Sequence, residues 1–222
     1  MSGTKLLIFD WDGTLVDSVH YIAVSMQAAA IDQQVEVPTL DSVKNIVGLG
    51  LPEACRILFP ALGAEATERL CQSYSAHYNR HRANQCPLFS GVRDTLLELR
   101  SAGYQLAVAT GKSRNGLNRA LAEHALEALF DASRCADETR SKPDPMMLAQ
   151  LLQEFSIDPS QAIMIGDTEY DLQMAVNARL PRIGVSYGAH SRQRLMRHDP
   201  LACADEFAEI KSPISQYFNQ GM

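Results

Sequence analysis

Two carboxylates stand two residues apart near the start of the chain, in Asp10-Trp11-Asp12-Gly13-Thr14. If both are ionised they repel each other, and a cation between them, or a proton on one, relieves the repulsion. Gly13 permits a tight turn and a close backbone approach to a ligand, although Asp-Gly is also an ordinary turn dipeptide. A second cluster, Thr110-Gly111-Lys112-Ser113, sets a hydroxyl, a glycine and a helix start in succession. Backbone N–H groups and the helix dipole make such a place favourable to an anion. In the third, Lys142-Pro143-Asp144-Pro145, Pro143 biases Lys142 away from helical geometry and suits the first turn of a following helix. An ammonium fixed there can neutralise a phosphate oxygen, the plain alternative being a solvated surface lysine. The fourth, Gly166-Asp167-Thr168-Glu169-Tyr170-Asp171, holds three acidic residues in six. Oxygen donors of this kind suit Mg²⁺. Helix N-termini also attract acidic residues, which accounts for Glu169.

The pattern around the clusters says what must position them. Short apolar runs at 5–9, 105–109 and 162–165 predict strands, and the first, second and fourth clusters follow them directly. Weaker strands are expected over 132–135 and 182–186. Helices are expected over 92–102, 113–123, 144–155, 170–178 and 205–217, with Gly103 as a stop. Alternating strands and helices imply a Rossmann-like α/β core, a parallel sheet covered by helices on both faces. Ligands of such sheets bind at the carboxyl ends of the strands. The stretch from 17 to 85 breaks the alternation. Apolar residues there recur at helical spacing, Asp17 and Ser18 can cap a helix starting near 19, and prolines and glycines divide the rest into separate helices. The expected organisation is a core of 1–16 and 86–222 with a smaller all-helical cap of 17–85.

The 222 residues suffice for that core and cap. Apolar residues at 46% and charged residues at 21% are ordinary for a globular protein, and a net charge of −6 without a basic stripe argues against nucleic acid as a partner. No apolar run is long enough to span a bilayer, and the run ending at Phe9 is too short for a signal peptide. Five cysteines without a CxxC pair match no zinc pattern. They suggest free thiols in a cytoplasmic setting.

In this order and spacing, the clusters closely resemble the haloacid dehalogenase superfamily over nearly the whole chain. The DxDGT pattern is Asp10 to Thr14, and Thr110, Lys142 in Lys-Pro, and GDxxxD from Gly166 to Asp171 follow. Helices inserted just after the first motif point to the phosphoglycolate phosphatase-like branch. The resemblance implies a Mg²⁺-dependent phosphatase acting on a small phosphate ester. Asp10 would be the nucleophile, forming an aspartyl-phosphate, and Asp12 the acid and then the base. Thr110, Gly111 and Lys142 would bind phosphate. Mg²⁺ would be held by Asp10, the backbone carbonyl of Asp12, and Asp167, with Asp171 supporting from behind. The hinges of the cap would lie near Asp17–Ser18 and at 84–87. The branch suggests 2-phosphoglycolate as substrate, with sugar phosphates, nucleoside monophosphates and pyridoxal phosphate open. Monomer and homodimer both fit.

Related chemistries are weighed on single residues. A dehalogenase lacks the carboxylate at Asp12 in the family pattern. A phosphonatase needs a cap lysine, and the cap region has only Lys44. A sugar-phosphate mutase or a non-hydrolytic phospho-switch would share the core. Arg179 stands where the family commonly has glycine and is expected to cap a helix C-terminus. The Tyr187-Gly188 turn resembles the family's loop after the last strand and is expected to be a plain loop, contact with the active-site rim being the alternative.

Overall fold

The computed structural model describes residues 4–82 and 86–220. Strand β1 (Leu6–Phe9) is followed by four helices: α1 (Val19–Asp32), α2 (Leu40–Lys44), α3 (Leu51–Leu58) and α4 (Ala64–Arg82). Alternation then begins with α5 (Val92–Ser101), β2 (Gln105–Thr110), α6 (Arg114–Glu123), β3 (Ala132–Cys135), α7 (Met146–Phe155), β4 (Ala162–Gly166), α8 (Glu169–Asn177) and β5 (Arg182–Val185). Helix α9 (Arg192–Leu195), β6 (Ala202–Ala204) and α10 (Lys211–Gln220) complete it. All pairings are parallel, in the order β3-β2-β1-β4-β5-β6. The order reverses at β1, whose carboxyl end is therefore the crevice such sheets use for ligands.

Side chains alternate across a strand, and both faces of β1 are buried. Leu7 and Phe9 join a cluster with Val92, Leu96, Leu117 and Ile214, from α5, α6 and α10. Leu6 and Ile8 join another with Met147, Leu151, Met174 and Ala175, from α7 and α8. Helices on both faces explain why the central strands are continuous apolar runs. The inserted helices have a hydrophobic cluster of their own, running from Val19 to Leu70 and including Met26, Ile46 and Phe59. Within it the Cys55 and Cys71 thiols approach to 3.4 Å. No helix among the described residues is long and apolar enough to cross a membrane.

The chain leaves the sheet for the insertion and returns beside itself. Val16 and Leu88 form an antiparallel bridge, Asp17 N–H donates to the Pro87 carbonyl (2.9 Å), and Phe89 N–H donates to the Leu15 carbonyl (3.0 Å). Of the second expected hinge, Asn84 and Gln85 lie outside the described residues.

Several expected elements are corrected. The helix expected from 144 begins at Met146, because Pro143 lies in a turn and the Asp144 carboxylate accepts the Met146 N–H (2.9 Å). The final helix begins at Lys211 rather than 205. There Glu209 turns back to accept the N–H groups of Asp205 and Glu206, closing a short 3-10 turn, Phe207–Ile210, first. Strand β6 and helix α9 were not expected, since three and four residues are too few to show periodicity.

Candidate active site

Asp10 follows β1 directly, and its N–H donates to the Ile165 carbonyl of β4 at 2.9 Å. The backbone thus carries its side chain to the crevice before any side-chain contact is made. Asp167 and Asp171, at the end of β4 and in the first turn of α8, meet it there. Each of the three buried carboxylates offers an oxygen within 4.8 Å of the others. The Lys142 ammonium lies between two of them, donating to Asp10 Oδ1 and Asp171 Oδ1, both at 2.6 Å. Asp167 accepts the Thr14 hydroxyl (2.9 Å) and the Ala189 N–H (2.8 Å). Asp171 also accepts the Thr168 N–H (3.1 Å) and hydroxyl (2.7 Å), so one carboxylate caps α8 and holds Lys142. Gly13 has φ +81°, and a Cβ there would lie 2.2 Å from Asp167 Oδ2. Only glycine lets this turn close against the carboxylate.

The electrostatics are those of crowded acids. Burial, opposed by Lys142 and reinforced by Asp171 and Asp167, holds Asp10 well above the usual carboxylate range. Burial, then Asp171, lifts Asp167 to about 7 against the Ala189 and Thr14 hydrogen bonds. Burial works to lower Lys142, but Asp10 and Asp171 outweigh it and raise it. Oδ2 of Asp10 is buried without a hydrogen-bond partner. A compact set of three buried hard oxygen donors fits a small divalent cation such as Mg²⁺.

The Asp12 carboxylate is held differently. Ser18 Oγ donates to its Oδ1 at 2.6 Å, and Lys112 Nζ lies 3.0 Å from its Oδ2. Lys112 also donates to the Tyr78 hydroxyl of α4 (3.1 Å) and sits 4.7 Å from the centre of that ring. One lysine of the core therefore touches both an acid of the first motif and the helical insertion.

Thr110 is fully buried at the end of β2, its hydroxyl accepting the Lys112 N–H at 3.2 Å. Gly111 lies under the insertion, where a Cβ would be 2.5 Å from the Leu49 carbonyl oxygen and 2.7 Å from that of Gly48. Beside it, Gly50 N–H donates to Ser141 Oγ at 2.9 Å. The loop between α2 and α3 thus rests on the second motif and on the residue before Lys142. Between insertion and core lies a cavity of about 360 Å³, with Asp10, Asp12, Gly111 and Lys112 on its core side.

The structure therefore gathers Asp10, Lys142, Asp167 and Asp171 into one cluster, with Asp12, Thr110 and Gly111 beside the same crevice. Asp171, expected behind the metal ligands, is in the carboxylate cluster itself. The side chain of Asp12 is outside that cluster. Glu169 pairs with Arg194, away from the carboxylates. The plain loop expected at 187–188 is corrected: Tyr187 donates to the Thr14 carbonyl (2.8 Å), and the next N–H but one binds Asp167. Ser18, Lys112, Tyr78 and Thr14 were not singled out as site residues. The hydroxyl and ammonium of the first two carry no pattern until the insertion folds back.

Similarity to known proteins agrees with this arrangement. Residues 7–185 match the family described as haloacid dehalogenase-like hydrolase. The "Probable phosphatase IndB" of Dickeya dadantii (strain 3937) is 32% identical over 209 residues, covering 92% of this chain and 91% of that one. The phosphoglycolate phosphatase of Vibrio cholerae serotype O1 is 30% identical over 221 residues, covering 95% and 96%. Among solved structures, a "predicted phosphoglycolate phosphatase" from Haemophilus somnus 129pt superposes with TM-score 0.86 at 25% identity, covering 96% of this chain and 98% of the other.

Proposed function

This chain belongs to the haloacid dehalogenase-like hydrolase family, and we propose that it hydrolyses a small phosphate monoester by passing the phosphoryl group through the carboxylate of Asp10. The observation that carries the reading is the Asp10 side chain itself. It is buried beneath a cavity, with Oδ1 fixed by Lys142 and Oδ2 left without a partner. A nucleophile needs one oxygen oriented and the other free to attack.

In the first step Oδ2 of Asp10 forms a bond to phosphorus as the ester P–O bond breaks, and Asp12 gives its proton to the leaving oxygen. In the second, Asp12 takes a proton from water as that water attacks the aspartyl-phosphate, restoring Asp10 and releasing phosphate. Ser18 and Lys112 hold Asp12 for both tasks. The Thr110 hydroxyl, the Gly111 amide and Lys142 hold the transferring oxygens, since fixed donors supply much of the catalysis in phosphoryl transfer. Asp10, Asp167 and the carbonyl of Asp12 would hold Mg²⁺, with Asp171 beside them. Bound there, the ion offsets the repulsion between a carboxylate and a phosphate dianion. Residues 17–85 would form the cap that closes over the substrate, with its first hinge near Asp17 and Ser18, next to the bridge between Val16 and Leu88. Cys55, Cys71, Cys135 and Cys203, free thiols, suit a reducing cytoplasm. The names of several relatives make 2-phosphoglycolate the first natural ester to try.

Phosphate release from p-nitrophenyl phosphate tests the reading, measured with Mg²⁺ and with EDTA for the native chain and Asp10→Asn. The expected result is metal-dependent turnover that falls at least about thousandfold in the variant. Turnover that survives EDTA, or that Asp10→Asn retains, counts against it.

A further inference from the structure

The two walls of the cavity differ in chemistry. The core wall carries its charged residues: Asp10, Asp12, Lys112 and, at the exposed side, Arg119 and Asp137. The insertion wall is mostly apolar and aromatic, with Ile22, Met26, Val47, Leu51, Tyr74 and Tyr78; Ser75 and Asn79 are its neutral polar members, and among the described residues no charged residue and no His of the insertion lines the cavity. The Tyr74 and Tyr78 rings are stacked on each other, with centroids 5.8 Å apart and planes 19° apart, and Lys112 lies over the Tyr78 ring. The volume of about 360 Å³ lies at the lower end of the range that takes ring-containing small molecules. A two-carbon acid ester would leave most of the apolar wall uncovered. Of the two cations lining the cavity, Lys112 is already engaged by Asp12 and the Tyr78 ring, and Arg119 lies at the exposed side, where a carboxylate pairing with it gains less.

We propose that the leaving group of the natural substrate is an uncharged, ring-bearing alcohol lying against this apolar and aromatic wall. The chain would then take phosphate esters of cyclic or aromatic alcohols in preference to that of a two-carbon hydroxy acid. This rests on the phosphatase reading above and narrows it. The phosphate fixes one end of the molecule at Asp10, and the ring gains by covering side chains that no charged group could cover without loss of hydration. A group of ring size in such a pocket is worth roughly tenfold or more in kcat/KM.

The test compares kcat/KM, with saturating Mg²⁺, for benzyl phosphate, ethyl phosphate and 2-phosphoglycolate. All three are esters of primary alcohols, so the contrast lies in what the wall sees. Benzyl phosphate is expected to exceed both others by about tenfold or more. Leu51→Arg, which places a cation on the half-buried edge of the wall, is expected to lower the benzyl-to-2-phosphoglycolate ratio by a comparable factor. The proposal is overturned if the native chain turns over 2-phosphoglycolate as well as benzyl phosphate or better, or if Leu51→Arg leaves the ratio unchanged. Either result leaves the phosphatase reading standing. If none of the esters is turned over and no phosphoryl group can be trapped on Asp10, that reading fails and the narrower one with it.

Discussion

At Ser18 the needs of a helix and of the site diverge. It occupies the N-cap position of α1, yet makes no side-chain capping hydrogen bond, and its hydroxyl goes to Asp12 instead. Local sequence rules expect the cap, because they cannot see a carboxylate six residues earlier turning back on the same loop. Ser18→Ala should therefore slow turnover about tenfold, as expected for a lost hydrogen bond to a charged group. Its melting temperature should shift less than the loss of a working N-cap would cause. Parallel kinetics and thermal melts check both halves; a stability loss without a rate loss would return Ser18 to a capping role. The same contrast marks what was readable residue by residue. Asp10, Thr110 and Asp167 stand out because each follows an apolar run that must be a buried strand. Lys112 and Tyr78 do not, because their meaning depends on one element lying over another.

Elements show the same division. The central strands, α1, α5, α6 and α8 were legible because their apolar periodicities are long enough to distinguish; α2 to α4 were read only as a helical stretch, and β6 and α9 are too short to show a period. Arg179 illustrates an expectation met with a cost. It follows the α8 C-cap Ala178 and adopts φ +60°, its N–H donating to the Val176 carbonyl (3.0 Å). This left-handed position is the one glycine usually fills after a helix. Arg179→Gly should remove about 1 kcal/mol of backbone strain. A rise in melting temperature of about 2–4 °C should result. A fall would mean that the exposed arginine side chain contributes more than its backbone costs. Gly111 marks the contact between layers. Gly111→Ala keeps the amide but sets a methyl against the Leu49 carbonyl, lifting the loop between α2 and α3. The expected loss in kcat/KM is about a hundredfold, typical of an ångström-scale misplacement at a reacting centre. Native-like kinetics in that variant would show that the contact is not part of the competent closed form.

Across the whole molecule, one layer carries the carboxylate cluster and the inserted helices lie over it. The sheet brings motifs more than 150 residues apart in sequence to one end of β1, as the Thr14–Asp167 hydrogen bond shows. The inserted helices, with their own hydrophobic cluster, rest on that end through Tyr78, Leu49 and Gly50. The run of helices between β1 and α5 was visible in the break of strand–helix alternation. The chemistry of the cavity was not, because its walls come from separate helices whose apolar residues are individually indistinguishable from core. The central claim is that Asp10 carries the phosphoryl group. It is tested most directly by rapid acid quench of the native chain, Mg²⁺ and a phosphorus-labelled ester, followed by peptide mapping with and without hydroxylamine. The account predicts transient label on the peptide containing Asp10, released by hydroxylamine as an acyl phosphate and absent in Asp10→Asn. Label on another residue, or phosphate released with no labelled protein at any time, would contradict it.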